Sequence, residues 1–216
     1  EAVTPLVPSY EIVVVDDGSR DETPKILRGL ERELGAVLVV ITQETNLGYG
    51  GALRTGIDAA RGRLVFYTDA DNQFDLRELS EFLPLMESQD AILGYRIRRQ
   101  DGGFRQFVSN GYNALASLAF GVSVRDFNCS FKLFRREALT SLHLEEDYFF
   151  IDTEIVVQLH RAGFHYSQKG VRHYPRTAGR STVGPTDVPR TFLALLRLWI
   201  KLRRLSADKT KLASRD

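Results

Sequence analysis

Short apolar runs alternate with amphipathic ones through the first hundred residues. Glu11–Val15 is apolar and β-branched and closes on Asp16-Asp17-Gly18-Ser19. That pattern predicts a buried parallel strand ending in a polar turn. A helix is expected next, capped by Asp21 or Thr23, with Pro24 in its first turn and an end near Gly35. Ala36–Thr42 reads as a second strand and Leu64–Thr68 as a third. Between them, the glycine-rich turn Asn46–Gly51 leads into a helix over Ala52–Ala60. Leu76–Ser88 reads as a helix and Ala91–Gly94 as a short strand. Strands alternating with helices predict a parallel α/β sheet, in which ligands bind at the carboxyl ends of strands.

The second half is less regular. Arg96, Arg98, Arg99 and Arg105 fall in a polar stretch before a long helix, about Phe104–Phe120. A turn and strand are expected over Val122–Phe134, a helix over Tyr148–Ala162 and a strand over Gly170–Tyr174. Arg176 and Arg180 lie in the following loop. In Pro189–Leu205, Phe192, Leu195, Leu196, Trp199 and Leu202 recur at helical spacing, with Arg197, Lys201 and Arg204 on another face. Such a basic amphipathic helix suits either a membrane interface or its own domain. The expected division is a catalytic domain over 1–188 and this helix within 189–216.

The chemistry concentrates at Asp69-Ala70-Asp71, directly after the apolar run Leu64–Thr68. Alternation along an extended chain would send the two carboxylates to opposite faces. A sharp turn at the strand end would let both reach one ion. Hard oxygen ligands suit Mg²⁺ or Mn²⁺, which keep open positions for substrate phosphates. Asp17 ends another strand and would line the same crevice. Arg96, Arg105, Arg125, Arg176 and Arg180 lie in predicted loops or helix starts, from which guanidinium groups could converge on phosphate. Gly48-Tyr49-Gly50-Gly51 invites a dinucleotide reading. Leu53 stands where a third glycine is needed, so close packing of a helix start against the sheet is the better use of these glycines.

Composition narrows the classes. A net charge of +1 over 216 residues does not mark a nucleic-acid binder. One cysteine excludes an internal disulfide framework. No apolar run reaches the roughly 20 residues that span a bilayer.

Val14-Val15-Asp16-Asp17-Gly18-Ser19, Asn46-x-Gly48-x-Gly50, Thr68-Asp69-Ala70-Asp71-Asn72-Gln73, Gly94-Tyr95-Arg96, Arg125-Asp126 with Phe131, and Arg176-x-x-Gly179-x-Ser181 occur in this order. The series resembles glycosyltransferase family 2, in its dolichyl- or polyprenyl-phosphate mannose synthase branch, over about residues 10–182. The resemblance implies a GT-A fold and an inverting transfer of a hexose from a nucleotide-diphosphate sugar, GDP-mannose or UDP-glucose. The acceptor would be a polyprenyl phosphate at the cytoplasmic face of a membrane. It implies that Asp69, Asp71 and Gln73 hold Mg²⁺ or Mn²⁺, with the Ala70 backbone near the donor. Val15 and Asp17 would contact the nucleoside and Arg176 the donor phosphates. Arg105, Arg125 and Cys129 would hold the acceptor phosphate. An acceptor phosphate is already anionic, so Asp152 or Glu154 would serve as a base only for a hydroxyl acceptor.

Two departures stand out. The branch has Ser-Gly-Phe where this chain has Cys129-Ser130-Phe131. Its first strand, which holds the nucleotide base, has no counterpart here, because Val3–Pro8 with two prolines is a poor strand. A truncated copy with a gap in a mostly parallel sheet is therefore expected. The alternatives are transfer to a hydroxyl of a polysaccharide or glycolipid, and an inactive nucleotide-sugar-binding fragment.

Overall fold

The computed structural model describes residues 2–97, 103–176 and 193–200, without the side chains of 103–105 and 107. Strand β1 is Ile12–Asp16 and helix α1 is Thr23–Leu34. The Asp21 carboxylate accepts the Thr23 N–H at 2.9 Å, and Gly35 ends the helix at a φ of 56°. Strand β2 (Leu38–Thr42), helix α2 (Gly48–Ala59) and strand β3 (Leu64–Tyr67) follow. Residues 76–88 do not form the expected α-helix. They form two 3₁₀ segments, Leu76–Glu81 and Leu83–Glu87. Pro84 lacks an N–H and disfavours α geometry at Leu83, which divides the run.

Strand β4 is Ala91–Ile97 and helix α3 is Gly103–Phe120. Strand β5 is Lys132–Arg135, helix α4 Arg136–Thr140, helix α5 Ile151–Ala162 and strand β6 Tyr166–Arg172. Strands β4 and β6 outrun their predicted lengths because they pair in parallel along all seven residues, from Ala91↔Tyr166 to Ile97↔Arg172. Backbone pairing carries the polar residues Tyr166–Lys169, which show no apolar alternation.

Among the described residues the strands form two sheets, β1–β2 and β3–β5–β4–β6. The first is parallel. In the second, β5 runs antiparallel to both neighbours, so the sheet is mixed and less parallel than the alternation predicts. No pairing joins the two sheets among these residues. The consequence shows in β1, expected as a buried strand. Only Asp16 is buried there, and Ile12 is 40% exposed, whereas residues 91–94 of the doubly paired β4 are all buried. Residues 2–9 form no strand. They turn through a Leu6 N–H to Val3 carbonyl bond, and Val3 and Leu6 pack on the cluster containing Leu64, Phe66, Phe82 and Phe131. The larger core joins α2, β3 and β5 to α5, where Ile151, Ile155, Val156, Val157 and Leu159 are all buried.

Residues 193–200 are helical. Ala194, Leu195 and Leu198 enter the main core, while Leu193, Leu196 and Ile200 face outward. This part of the predicted amphipathic helix packs on its own domain. Phe192 and the basic residues Lys201 and Arg204 lie outside the described residues.

Candidate active site

Strand β3 ends at Tyr67, and residues 68–73 turn sharply behind it. Asn72 adopts a left-handed φ of 59°, which a short amide side chain tolerates. The Gln73 N–H donates to Asp71 Oδ1 at 3.1 Å, which closes the turn. Asp69 lies close enough to Asp71 for the two charges to interact. Lost hydration pushes the Asp69 carboxyl above its ordinary range. A hydrogen bond from the Ser130 hydroxyl at 2.6 Å opposes that push, and the Asp152 and Asp71 charges add to it. Ser130 is buried opposite Asp69, two residues beyond the β3–β5 pair Tyr67↔Lys132.

The segment after β6 lies across this turn. Tyr174 N–H donates to the Gln73 carbonyl at 2.9 Å, and Gln73 Nε2 donates to the Tyr174 carbonyl at 2.9 Å. Arg176 Nη2 donates to Asp71 Oδ2 at 2.7 Å. These contacts fit a divalent-cation site. Asp71 already takes a cationic group, and Gln73 spends its amide nitrogen on Tyr174, which leaves Oε1 as its hard oxygen donor.

The other expected residues fall into place less simply. Asp17 Oδ1 accepts the Leu47 N–H at 2.7 Å and Oδ2 the Gly48 N–H at 2.9 Å. It fixes the start of α2, and any nucleoside contact would use the remaining lone pairs. Val15 packs under Gly56 of α2. Ala70 is exposed in the turn. Gly48 and Gly50 pack closely, as expected, but against the Glu146–Asp147 backbone and not the sheet, and Gly51 packs on the Leu47 side chain. A Cβ on Gly48, at φ +79°, would meet the Asp147 carbonyl at 2.6 Å, and Gly50 N–H donates to that carbonyl.

Among the described residues, Arg96, Arg125 and Arg176 each have a different partner. Arg96 makes a bidentate pair with Asp126, at 2.7 and 2.8 Å, with both side chains largely buried. Its expected phosphate role is corrected to an internal clamp between β4 and the segment before β5. The Arg125 guanidinium lies 4.7 Å from the Tyr95 ring centroid. Arg180 and the Arg105 side chain lie outside the described residues.

Cys129 is fully buried and close to Gly94. It is a packed thiol and not an open acceptor contact. Burial, with Asp126 nearby, pushes its pKa up to about 12. Iodoacetamide at mildly alkaline pH is expected to spare Cys129 in the folded protein and label it after unfolding. Labelling of the native state at the rate of a free thiol would contradict this placement.

Neither candidate base is open to solvent. Asp152 is buried and accepts from Tyr67 Oη at 2.6 Å and from the fully buried Lys132 Nζ. Burial, then the Asp152 charge, push the Tyr67 phenol well above its ordinary range, so it remains a donor. Glu154, 1% exposed, accepts the Glu145 and Glu146 N–H groups at 3.0 and 3.1 Å and Gln158 Nε2 at 3.2 Å. Each carboxylate is engaged by partners within the domain. Sequence reasoning missed Lys132, Ser130 and Tyr174. Only Lys132 left a signal, as a lone cation within the apolar run Phe131–Phe134.

Residues 6–142 match the family model "Glycosyl transferase family 2". The glycosyltransferase AglD of Haloferax volcanii is 35% identical over 206 residues, covering 90% of this chain and 32% of that protein. Dodecaprenyl-phosphate galacturonate synthase of Rhizobium johnstonii is 33% identical and covers 90% of this chain and 58% of its own length. Mouse dolichyl-phosphate beta-glucosyltransferase is 33% identical over 168 residues, covering 69% of this chain and 52% of that protein. The chain thus spans from about a third to under three-fifths of these relatives. Among solved structures, glucosyl-3-phosphoglycerate synthase from Mycobacterium tuberculosis, in complex with Mn²⁺, uridine diphosphate and phosphoglyceric acid, superposes with a TM-score of 0.66 at 20% identity. That match covers 92% of this chain and 71% of the other. The fold is GT-A, and the chain belongs to glycosyl transferase family 2.

Proposed function

We propose that this chain transfers a hexose, mannose or glucose, from a nucleotide-diphosphate sugar to a polyprenyl phosphate with inversion at the anomeric carbon. One observation carries the choice of acceptor: Asp152 and Glu154 are both buried and committed to structural partners. A hydroxyl acceptor needs a base to take its proton, a contribution of about 10²–10⁴-fold in rate. A phosphate oxygen is anionic at neutral pH and attacks without one. The Rhizobium and mouse relatives, both polyprenyl-phosphate sugar transferases by name, support the same acceptor class.

Asp69, Asp71 and Gln73 would hold Mg²⁺ or Mn²⁺, which when bound offsets the charge that develops on the leaving diphosphate. Solved complexes of the mycobacterial enzyme with Mn²⁺ or Mg²⁺ and uridine diphosphate support a divalent ion. Arg176, beside Asp71, is the cation among the described residues best placed for the donor phosphates. An extended lipid acceptor implies work at a membrane surface, on its cytoplasmic face. No described helix is long and apolar enough to cross a membrane. The outward Leu193, Leu196 and Ile200 suit contact with a bilayer surface.

The test is a donor and acceptor screen on the polypeptide at its natural length. Polyprenyl phosphate is incubated with GDP-mannose or UDP-glucose and Mn²⁺, and products are read by mass spectrometry. A glycosylated lipid phosphate from one donor is expected, and none from any donor would overturn the reading. Glu154→Gln separates the acceptor classes. Its turnover is expected to stay within about tenfold of wild type, because no proton transfer is lost. Its stability should fall by about 1–3 kcal/mol, because backbone N–H groups lose a charged acceptor. A rate loss of about 10²-fold or more would instead mark Glu154 as a base and favour a hydroxyl acceptor.

A further inference from the structure

We propose that Arg176 stands in for the divalent cation on Asp71 in the metal-free protein and hands that carboxylate over when cation and donor diphosphate arrive together. The inference rests on reading Asp69 and Asp71 as the cation's carboxylates.

Asp71 has two oxygens, and each already accepts one hydrogen bond. Oδ1 closes the turn by accepting the Gln73 N–H. Oδ2 accepts from Arg176 at 2.7 Å. A cation that binds Asp71 through Oδ2 therefore competes with the guanidinium for the same atom. The Asp71 side chain is only 15% exposed, so water screens this competition incompletely.

The segment keeps its anchor on the turn when the Arg176 guanidinium leaves Asp71. The reciprocal bonds between Tyr174 and Gln73 hold the segment to the turn without involving the guanidinium. The amide of Gln73 can keep its Nε2 on Tyr174 while Oε1 serves a cation. Residue 176 is then a side chain that moves on a fixed anchor.

The charge balance explains why two ligands should bind together. A cation arriving alone displaces a guanidinium and leaves two positive groups near one carboxylate. A diphosphate arriving with it supplies the oxygens that arginine pairs with best. Nucleotide therefore removes the cost that Arg176 imposes on the cation, and the two bind with positive coupling. Arg176 acts as a positioning residue for the cation before it touches any phosphate.

The experiment uses Mn²⁺ as probe, with the free ion followed by its electron paramagnetic resonance signal. The intact chain is titrated with Mn²⁺ alone, then with saturating UDP or GDP in turn. In Arg176→Gln, Mn²⁺ alone should bind roughly two- to fivefold more tightly than in wild type, the scale of a partly exposed ion pair. The same variant should lose most of the tightening that nucleotide gives the wild type. Mn²⁺ binding alone that is no tighter in Arg176→Gln overturns the stand-in. Tighter binding with an undiminished nucleotide effect overturns the hand-over. Asp71→Asn separates these failures from failure of the underlying reading. If it binds Mn²⁺ as wild type does, the carboxylate assignment is wrong. If it loses Mn²⁺ while Arg176→Gln gains nothing, only the exchange is wrong.

Discussion

Asp71→Asn is expected to fold normally and to lose sugar transfer by about 10²–10³-fold, the scale for removing a main electrostatic stabiliser of a developing charge. The separation of fold from activity follows from what Asp71 touches. An asparagine oxygen can still accept the Gln73 N–H, so the turn over residues 69–73 survives. Losing the partly exposed pair with Arg176 costs at most about 1 kcal/mol. In a chain of this size that moves the melting temperature by roughly 2–4 °C. The activity loss has a different origin. An amide oxygen carries no net charge, so in the proposed site the cation would lose one of its two carboxylates, and the leaving diphosphate would lose the cation. The measurement pairs a thermal melt with turnover of nucleotide sugar and lipid phosphate in Mn²⁺. Wild-type turnover in the folded variant would remove Asp71 from the site. A matching loss in wild type on chelation, restored by Mn²⁺, would tie the effect to the ion.

The carboxylate pair was legible because the sequence carries both halves of the argument. An apolar strand has to end somewhere, and two aspartates directly after it mark the end as polar. What the sequence could not show is how each charge is spent. Arg96 and Asp126 lie thirty positions apart, and only the approach of β4 to the segment before β5 makes them a pair. Read singly, Arg96 looks available to phosphate. Asp152 and Glu154 posed the same difficulty. Their types and spacing suit acid–base work, yet Asp152 faces Lys132 across the core and Glu154 caps the 145–146 backbone.

The fold divided along similar lines. Strands β1, β2 and β3 announce themselves by β-branched apolar runs, and α1 and α2 by their periodicity. Strand β6 does not, because Tyr166–Lys169 are held by backbone bonds to β4, not by burial of one face. The reversal of β5 was also hidden. Alternating strands and helices imply parallel crossovers. Here the chain leaves α3 through Gly121–Phe131 and re-enters the sheet between β3 and β4 from the opposite end. That reversal matters for the site, since it sets Ser130 against Asp69 and Lys132 against Tyr67. The break between the two sheets was legible, because two prolines in Val3–Pro8 disfavour a strand and β1 then pairs only with β2 among the described residues.

Lys132→Met should be the most destabilising single substitution in the network beneath the site. Lys132 is fully buried, and its ammonium donates to Asp152, itself only 4% exposed at the side chain. Tyr67 donates to the same carboxylate oxygen, and the Lys132 nitrogen lies 5.3 Å from the Tyr67 ring centroid. Removing the cation leaves a buried carboxylate with only the neutral phenols of Tyr67 and Tyr49 beside it. Breaking a buried pair in this way costs about 3–5 kcal/mol. That is a large part of the roughly 5–15 kcal/mol that holds a domain together. At roughly 2–4 °C per kcal/mol, the melting temperature should drop by about 6–20 °C. The double variant Lys132→Met/Asp152→Leu removes both charges and should recover most of the loss, because two apolar side chains can replace a buried ion pair at little cost. A strongly non-additive cycle is therefore the signature, read by denaturant unfolding of the four proteins. Additive losses would mean that Lys132 and Asp152 are stabilised separately. Turnover gives the second readout. Asp69 sits within the field of both charges, which act on its carboxyl in opposite directions. Removing the pair together should leave transfer near wild type, provided that neither residue supplies chemistry. A double variant as stable as wild type yet inactive would return Asp152 to the reaction itself.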